Sequence, residues 1–227
     1  MSNIQNVIGK PEQHLHAGAD TLAERAYREI EEMIVTLEIA PGQVLSEAQL
    51  IKDLGIGRTP IREALQRLAS EGLVNVIPRR GAFVSEINLS RQLLLLELRR
   101  EVERLCARKA AIRATPAEQK AFSDLADQLG QAADSCDEAA FMRLDLQFNR
   151  AIVKACHNEF AEGAMQRMQG LSRRFWFQHY RKAFDLERCA RLHENVARAI
   201  SRGDEENAGI ASDALSDYIV EFARSTI

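Results

Sequence analysis

From the N-terminus the chain shows no apolar periodicity until Thr21, and then its character changes. Leu22, Ala26, Ile30, Met33 and Ile34 recur at three- and four-residue spacing, which predicts a helix that buries one face. Ile39-Ala40-Pro41-Gly42 breaks that pattern. Ser46 is placed to cap a short helix through Gln49, Leu50, Ile51 and Leu54, which Gly55 stops. A third helix runs from Arg58 or Thr59 to Ser70 with an apolar face of Ile61, Ala64, Leu65 and Leu68, and Gly72 ends it. Leu73-Val74-Asn75-Val76-Ile77 and Ala82-Phe83-Val84-Ser85-Glu86-Ile87 then flank Pro78-Arg79-Arg80-Gly81, two short segments around a Gly-containing turn that predict a β-hairpin. After Asn88 the pattern is helical almost to the end. Thr115-Pro116-Ala117-Glu118 is a capping box with proline at the first helical position, Asn158 and Gly203 are expected at left-handed helix ends, and Asp204 is placed to cap the last helix.

The predicted fold is therefore mainly α. Three helices and a hairpin wing form an N-terminal winged helix-turn-helix, and an all-α antiparallel bundle of about six or seven helices follows. Residues 1–20, with Gly9, Pro11 and Gly18, predict a mobile tail, and His14 and His16 belong to it.

Composition narrows the classes. The 227 residues are 46% hydrophobic, enough for a proper core. Formal net charge is −3, so any nucleic-acid contact has to come from a local basic patch. Cys106, Cys136, Cys156 and Cys189 are scattered, without the close pair of a zinc ribbon or redox motif, and are expected as free, buried thiols. No leader with a basic start and apolar core is visible, and the aliphatic run Leu93 to Leu96 is far too short for a bilayer. A cytoplasmic location without membrane attachment is expected.

A local patch exists. The turn Leu54-Gly55-Ile56-Gly57 separates two short helices as in a helix-turn-helix. The second helix carries Arg58, Arg62 and Arg67 away from its apolar face, with Arg58 and Thr59 in its first turn, where base edges and phosphates are met. Arg79, Arg80 and Gly81 form the hairpin tip. Arginine suits such a surface because its fork matches the two acceptors of guanine or the oxygens of a phosphate. The plainer reading is a solvated helix face.

These residues also carry a resemblance. Ala40-Pro41-Gly42-Gln43-Val44-Leu45-Ser46-Glu47, the run from Leu54 through Arg58-Thr59-Pro60-Ile61-Arg62-Glu63-Ala64-Leu65-Gln66-Arg67-Leu68, and Glu71-Gly72-Leu73-Val74 resemble the winged-helix domain of GntR-family transcription regulators over Thr21 to Ile87. The resemblance implies that Arg58 and Arg62 touch DNA and that Gly81 enters the minor groove. Gly57 departs from the family, which usually has Ser or Thr there. Glu97-Leu98-Arg99 with Val102-Glu103, Asp137 through Asp145-Leu146-Gln147-Phe148-Asn149, and His193 to Asp204 resemble the FCD effector domain of the FadR subfamily. The expected division is thus a tail at 1–20, a DNA-binding domain at 21–87, a linker at 88–91 and an effector-binding and dimerisation domain at 92–227.

The bundle carries candidate polar groups of its own. Arg99 shares a stripe with Leu95, Val102 and Cys106, so its charge needs a partner. Glu103, one turn on, is one; the carboxylate of a bound metabolite is the other. Asp145 and Asn149 share a face with Phe141, Phe148 and Ile152, and His193 shares one with Val196, Ala197 and Ile200, so these polar groups are expected to point inward. The FCD resemblance implies a divalent metal on an Asp and three His. Only Asp145 and His193 match, with Asn149 and Leu215 at the other positions, so a divalent metal is the one candidate cofactor and its ligand set is incomplete. Effector contacts are expected from Arg99, Asp145, Asn149 and His193. Arg173 to Tyr180 gathers cations and aromatics, with Trp176 and Phe177 at helical spacing from Tyr180 and Phe184, as core or dimer packing or as a pocket lining. His157 reads as a residue of an interhelix turn.

Together these readings predict a homodimer that binds a pseudo-palindromic operator in double-stranded DNA, represses, and is released by a small carboxylate. Two alternatives are a metal-dependent hydrolase or lyase built on Asp145 and His193, and a regulator that senses a fatty acyl thioester. No enzymatic activity is expected.

Overall fold

The computed structural model describes residues 21–183 and 185–226. The expected tail at 1–20, with His14 and His16, and the aromatic position Phe184 lie outside the described residues. The described chain forms two compact units. One comprises residues 21–92 together with Arg167–Arg181; the other comprises Leu93–Gln166 and the chain from Lys182 onward.

The first unit begins with α1 (Leu22–Val35), β1 (Val44–Leu45), α2 (Glu47–Leu54), α3 (Arg58–Ser70), β2 (Val74–Ile77) and β3 (Gly81–Val84). Local sequence dictates the ends. Thr21 and Glu24 close a capping box on α1, the Ser46 side chain accepts from the Gln49 amide at the start of α2, and Gly55 ends that helix with φ +65°. Ile30, Ile34, Ile61, Leu68 and Leu73 are fully buried, so α1, α3 and the strand leaving α3 share one core. The hairpin gains a third strand: the sheet order is β1-β3-β2, all antiparallel, with Phe83 opposite Val44 on one side and Asn75 on the other. Fifteen residues of α7, Arg167–Arg181, complete this unit. Leu171 packs against its core and Arg173 bonds Glu32 of α1 at 3.0 Å.

The second unit is built from α4 (Leu89–Arg113), α5 (Pro116–Ser135), α6 (Glu138–Ala155), the start of α7 (Glu159–Ala183), α8 (Leu186–Ser201) and α9 (Glu205–Arg224). Helix α8 packs on α5, α6 and α9, and Phe122, Leu125, Leu129, Val196 and Ile200 are buried in it. The Thr115 capping box, the Asp204 cap and the left-handed Gly203 occur where the pattern places them.

One expectation is corrected. Asn158 does not end a helix in the left-handed region; His157 holds that conformation, with φ +44°, and the Asn158 carboxamide caps α7 by accepting from the amides of Phe160 and Ala161. Residues 89–91 are helical, because Asn88 Oδ1 accepts from the Arg91 amide and α4 begins at Leu89. Within the stretch 92–227, residues 167–181 pack with the N-terminal elements. No helix among the described residues is long and apolar enough to cross a membrane.

Candidate nucleic-acid interface and ligand cavity

Eight of the nine helices among the described residues begin with a side chain that accepts from a first-turn amide: Thr21, Ser46, Asn88, Thr115, Asp137, Asn158, Asp185 and Asp204. Helix α3 is the exception. Its cap is Gly57, with φ −66° and no side-chain bond, and its first turn holds no acidic residue. The first-turn amides and the positive end of the helix dipole thus lack a side-chain cap, which leaves donors for a phosphate.

Cations flank that end. Arg58 and Thr59 are exposed in the first turn. Arg62 is exposed one turn later, with Nε 3.5 Å from the Glu47 carboxylate of α2, a loose surface pair that a duplex can replace. At the wing tip, Arg79 (φ +64°) and Gly81 (φ +97°) turn the chain, and Arg79, Arg80 and Gly81 are exposed. Arg67 is different. Its guanidinium carbon lies 3.7 Å from the centroid of the Tyr27 ring, and its Nε bonds the Glu71 carboxylate at 3.2 Å. Glu71 is buried and also accepts from the Tyr27 hydroxyl at 2.8 Å. Burial, with the charges of Glu31 and Glu71, raises the Tyr27 pKa, so the phenol stays protonated and donates. Arg67 therefore pairs with an internal carboxylate, while its side chain stays 45% exposed on the same helix.

In the helical unit the four expected effector residues do not converge on one open site. Arg99 pairs with Glu103 through Nε at 3.0 Å and through Nη2. Asp145 Oδ1 lies 3.0 Å from His193 Nε2 and accepts from Asn149 Nδ2 at 3.0 Å. His193 Nδ1 is 2.8 Å from the Cys189 carbonyl, an obligate acceptor, so that nitrogen carries a proton. The ring is wedged edge-on between Phe148 and Phe141, at 5.0 and 5.5 Å. Burial disfavours a charge on it, but the hydrogen-bonded Asp145 carboxylate outweighs burial, and the His193 pKa stands well above the ordinary histidine value. Burial also pushes up the Cys189 thiol, which stays protonated; the Asp145 carboxylate is what holds the second proton on His193.

A cavity of about 30 Å3 lies beside this cluster, lined by Glu103, Asn149, Ser212, Leu215, Met165 and apolar neighbours. Of the four expected residues only Asn149 lines it. Glu103 and Ser212 were not singled out from the sequence; Glu103 was visible only as a partner for Arg99, and Ser212 lies in a helix face with no distinguishing pattern. The volume suits about two waters. It has no room for a fatty acyl chain.

The donor chemistry does not fit a divalent metal. Asp145 and His193 are spent on each other, Asn149 turns its amide protons to Asp145, Leu215 offers no lone pair, and no group of three His, Cys, Asp or Glu among the described residues is placed to hold one. Nor is there an activated nucleophile here. The Cys189 sulfur is 3.7 Å from His193 Nδ1, but that nitrogen already faces a carbonyl and the thiol is protonated.

Comparison with known proteins bears on these surfaces. The model of the bacterial regulatory proteins of the gntR family matches residues 22–84, and that of the FCD domain matches residues 94–216. The chain belongs to the GntR family. It is a transcriptional regulator with a helix-turn-helix domain and an FCD effector domain. A regulator of this type encoded in an unstable DNA locus of Streptomyces ambofaciens is 34% identical over 88% of this chain and 78% of its own length. The transcriptional repressor RspR of Escherichia coli is 24% identical over 89% of this chain and 87% of its own. Among solved structures, E. coli McbR/YncC shares the fold, with a TM-score of 0.73 at 19% identity over 91% of this chain and 98% of the other.

Proposed function

We propose that this GntR regulator is a cytoplasmic homodimer that represses by binding a pseudo-palindromic operator and lets go when a small carboxylate enters its FCD domain. The bare start of α3 carries the reading. Alone among the described helices it has no side-chain cap on its first-turn amides, with Arg58, Thr59 and Arg62 around it and Arg79, Arg80 and Gly81 at the wing. One relative is named a repressor, which supports the sign of regulation. Leu98, Leu105 and Ile112 support the dimer: they lie seven residues apart on α4 and are 57, 40 and 52% exposed, a stripe suited to a second helix. The Arg99–Glu103 pair supports a carboxylate effector, because an incoming carboxylate can take Arg99 while Glu103, at the cavity wall, is displaced.

The test is selection of duplexes from a random pool, followed by anisotropy titration of the winner across salt concentrations. A regulator enriches one inverted repeat and binds it with a steep salt dependence. Absence of enrichment would sink the proposal. A thermal-shift screen of organic acids then tests the effector, since a ligand of the folded state raises the melting point by mass action.

A further inference from the structure

Beneath the wing lies a charged side chain that takes no part in the outward-facing surface. Arg174, on the part of α7 that belongs to the winged-helix unit, is only 3% exposed. Its Nη1 donates to the Ser85 carbonyl at 2.8 Å and its Nη2 to Ser85 Oγ at 3.0 Å. The Ser85 hydroxyl donates in turn to the Gly72 carbonyl at 2.7 Å, and the Ser85 amide to the Leu73 carbonyl at 2.9 Å. Ser85 directly follows β3, while Gly72 and Leu73 join the end of α3 to β2. One guanidinium thus closes the base of the wing onto the end of the helix proposed to read the major groove.

This is a costly way to fill space. Among the described residues no carboxylate lies within bonding range of Arg174, and its Nε has no hydrogen-bond partner. Burial, with the nearby charge of Arg91, lowers its pKa to about 10, against a weaker opposing effect of Glu86. An apolar side chain of the same reach would avoid that desolvation. What only the guanidinium supplies is a planar fork that grips a carbonyl and a hydroxyl of one residue at once.

We propose that Arg174 is a positioning residue for DNA recognition: it fixes the β2–β3 wing against α3, so that Arg79, Arg80 and Gly81 reach the duplex while α3 is docked. The proposal rests on the DNA-binding reading above, but it concerns a side chain that does not itself face DNA. Loss of the grip frees the hairpin at its base, and the contacts at its tip then have to be ordered on binding, at a cost in affinity.

The experiment uses the full chain with Arg174→Met, which keeps volume and removes both the fork and the buried charge. Without DNA, amide hydrogen exchange in residues 74–84 is expected to speed up by about tenfold or more, a local opening, while α1 and α3 keep their protection. Affinity for the selected duplex is expected to fall about tenfold, the order of one lost contact, and the fall is expected to vanish in an Arg80→Ala background because both changes act through the wing. Unchanged wing exchange overturns the proposal. So does an undiminished loss in the Arg80→Ala background, or unchanged affinity where the wild type binds. Should the Met variant not fold, Arg174→Lys, which keeps the charge and loses the fork, is read in the same way. If the wild type binds no duplex, the regulator reading fails, and the exchange measurement still decides whether Arg174 holds the wing.

Discussion

Four residues of α3 separate Arg62 from Arg67, and the two guanidiniums have different surroundings. Arg62 stands free of the core beside Glu47, whereas Arg67 lies on the Tyr27 ring and bonds the buried Glu71. Arg62→Ala is expected to weaken operator binding by about 1–3 kcal/mol in an anisotropy titration and to leave stability nearly unchanged. Arg67→Ala is expected to do the reverse: a loss of about 1–2 kcal/mol in urea denaturation, because Glu71 loses a charged partner and Tyr27 its cation, with the salt slope of operator binding unaltered. A salt slope that falls on Arg67→Ala would give that residue a phosphate contact as well. The helical unit offers a pH test. His193 has a raised folded pKa, so its contribution to stability is complete below the unfolded value near 6.5 and is lost as pH rises through the higher folded value. The wild type is therefore expected to lose melting temperature relative to Asp145→Asn as the buffer is moved from about pH 6 upward. Parallel curves for the two proteins would show that the pair does not titrate as its geometry implies.

At the scale of elements, the uncapped α3 separates stability from function. Gly57 has φ −66°, which any residue adopts, and a Cβ there meets nothing within 4 Å. Gly57→Asp is expected to cap α3 and raise stability by about 0.5 kcal/mol, yet to cost about 1–3 kcal/mol of operator binding by setting a carboxylate where a phosphate would sit. Stability and affinity that rise together would contradict that placement. Gly81, at φ +97°, makes the wing turn, and Gly81→Val is expected to strain it by about 1–3 kcal/mol, readable in urea denaturation. These are also the elements whose identity shows in the sequence. Apolar spacing gave α1 to α3, cap residues gave the starts of α2, α5 and α9, and the paired β-branched runs gave the wing. The two-residue β1 carries no period of its own and exists because β3 leaves an edge beside it. Asn158 was misplaced because asparagine serves both ends of a helix, and His157, a poor candidate by type, took the left-handed position. The grip of Arg174 on Ser85 joins residues 89 apart in the chain, and no local pattern encodes that.

At the scale of the whole molecule, the stripe of Leu98, Leu105 and Ile112 on α4 bears on assembly. Leu105→Glu is expected to shift the protein from dimer toward monomer in light scattering, since a carboxylate in an apolar seam is left unpaired. A change of mass there without loss of secondary structure is the informative result; a wild type that is already monomeric removes the homodimer from the proposal. The last consequence concerns the cavity beside Asn149. Space for two waters admits no metabolite as a passive guest, so an organic acid that binds at this cavity must first prise side chains or helices apart. Recognition and rearrangement are then a single event. The work of opening is subtracted from the apparent affinity, and an effector molecule seated in this cavity has, by that fact alone, already altered the domain that holds it.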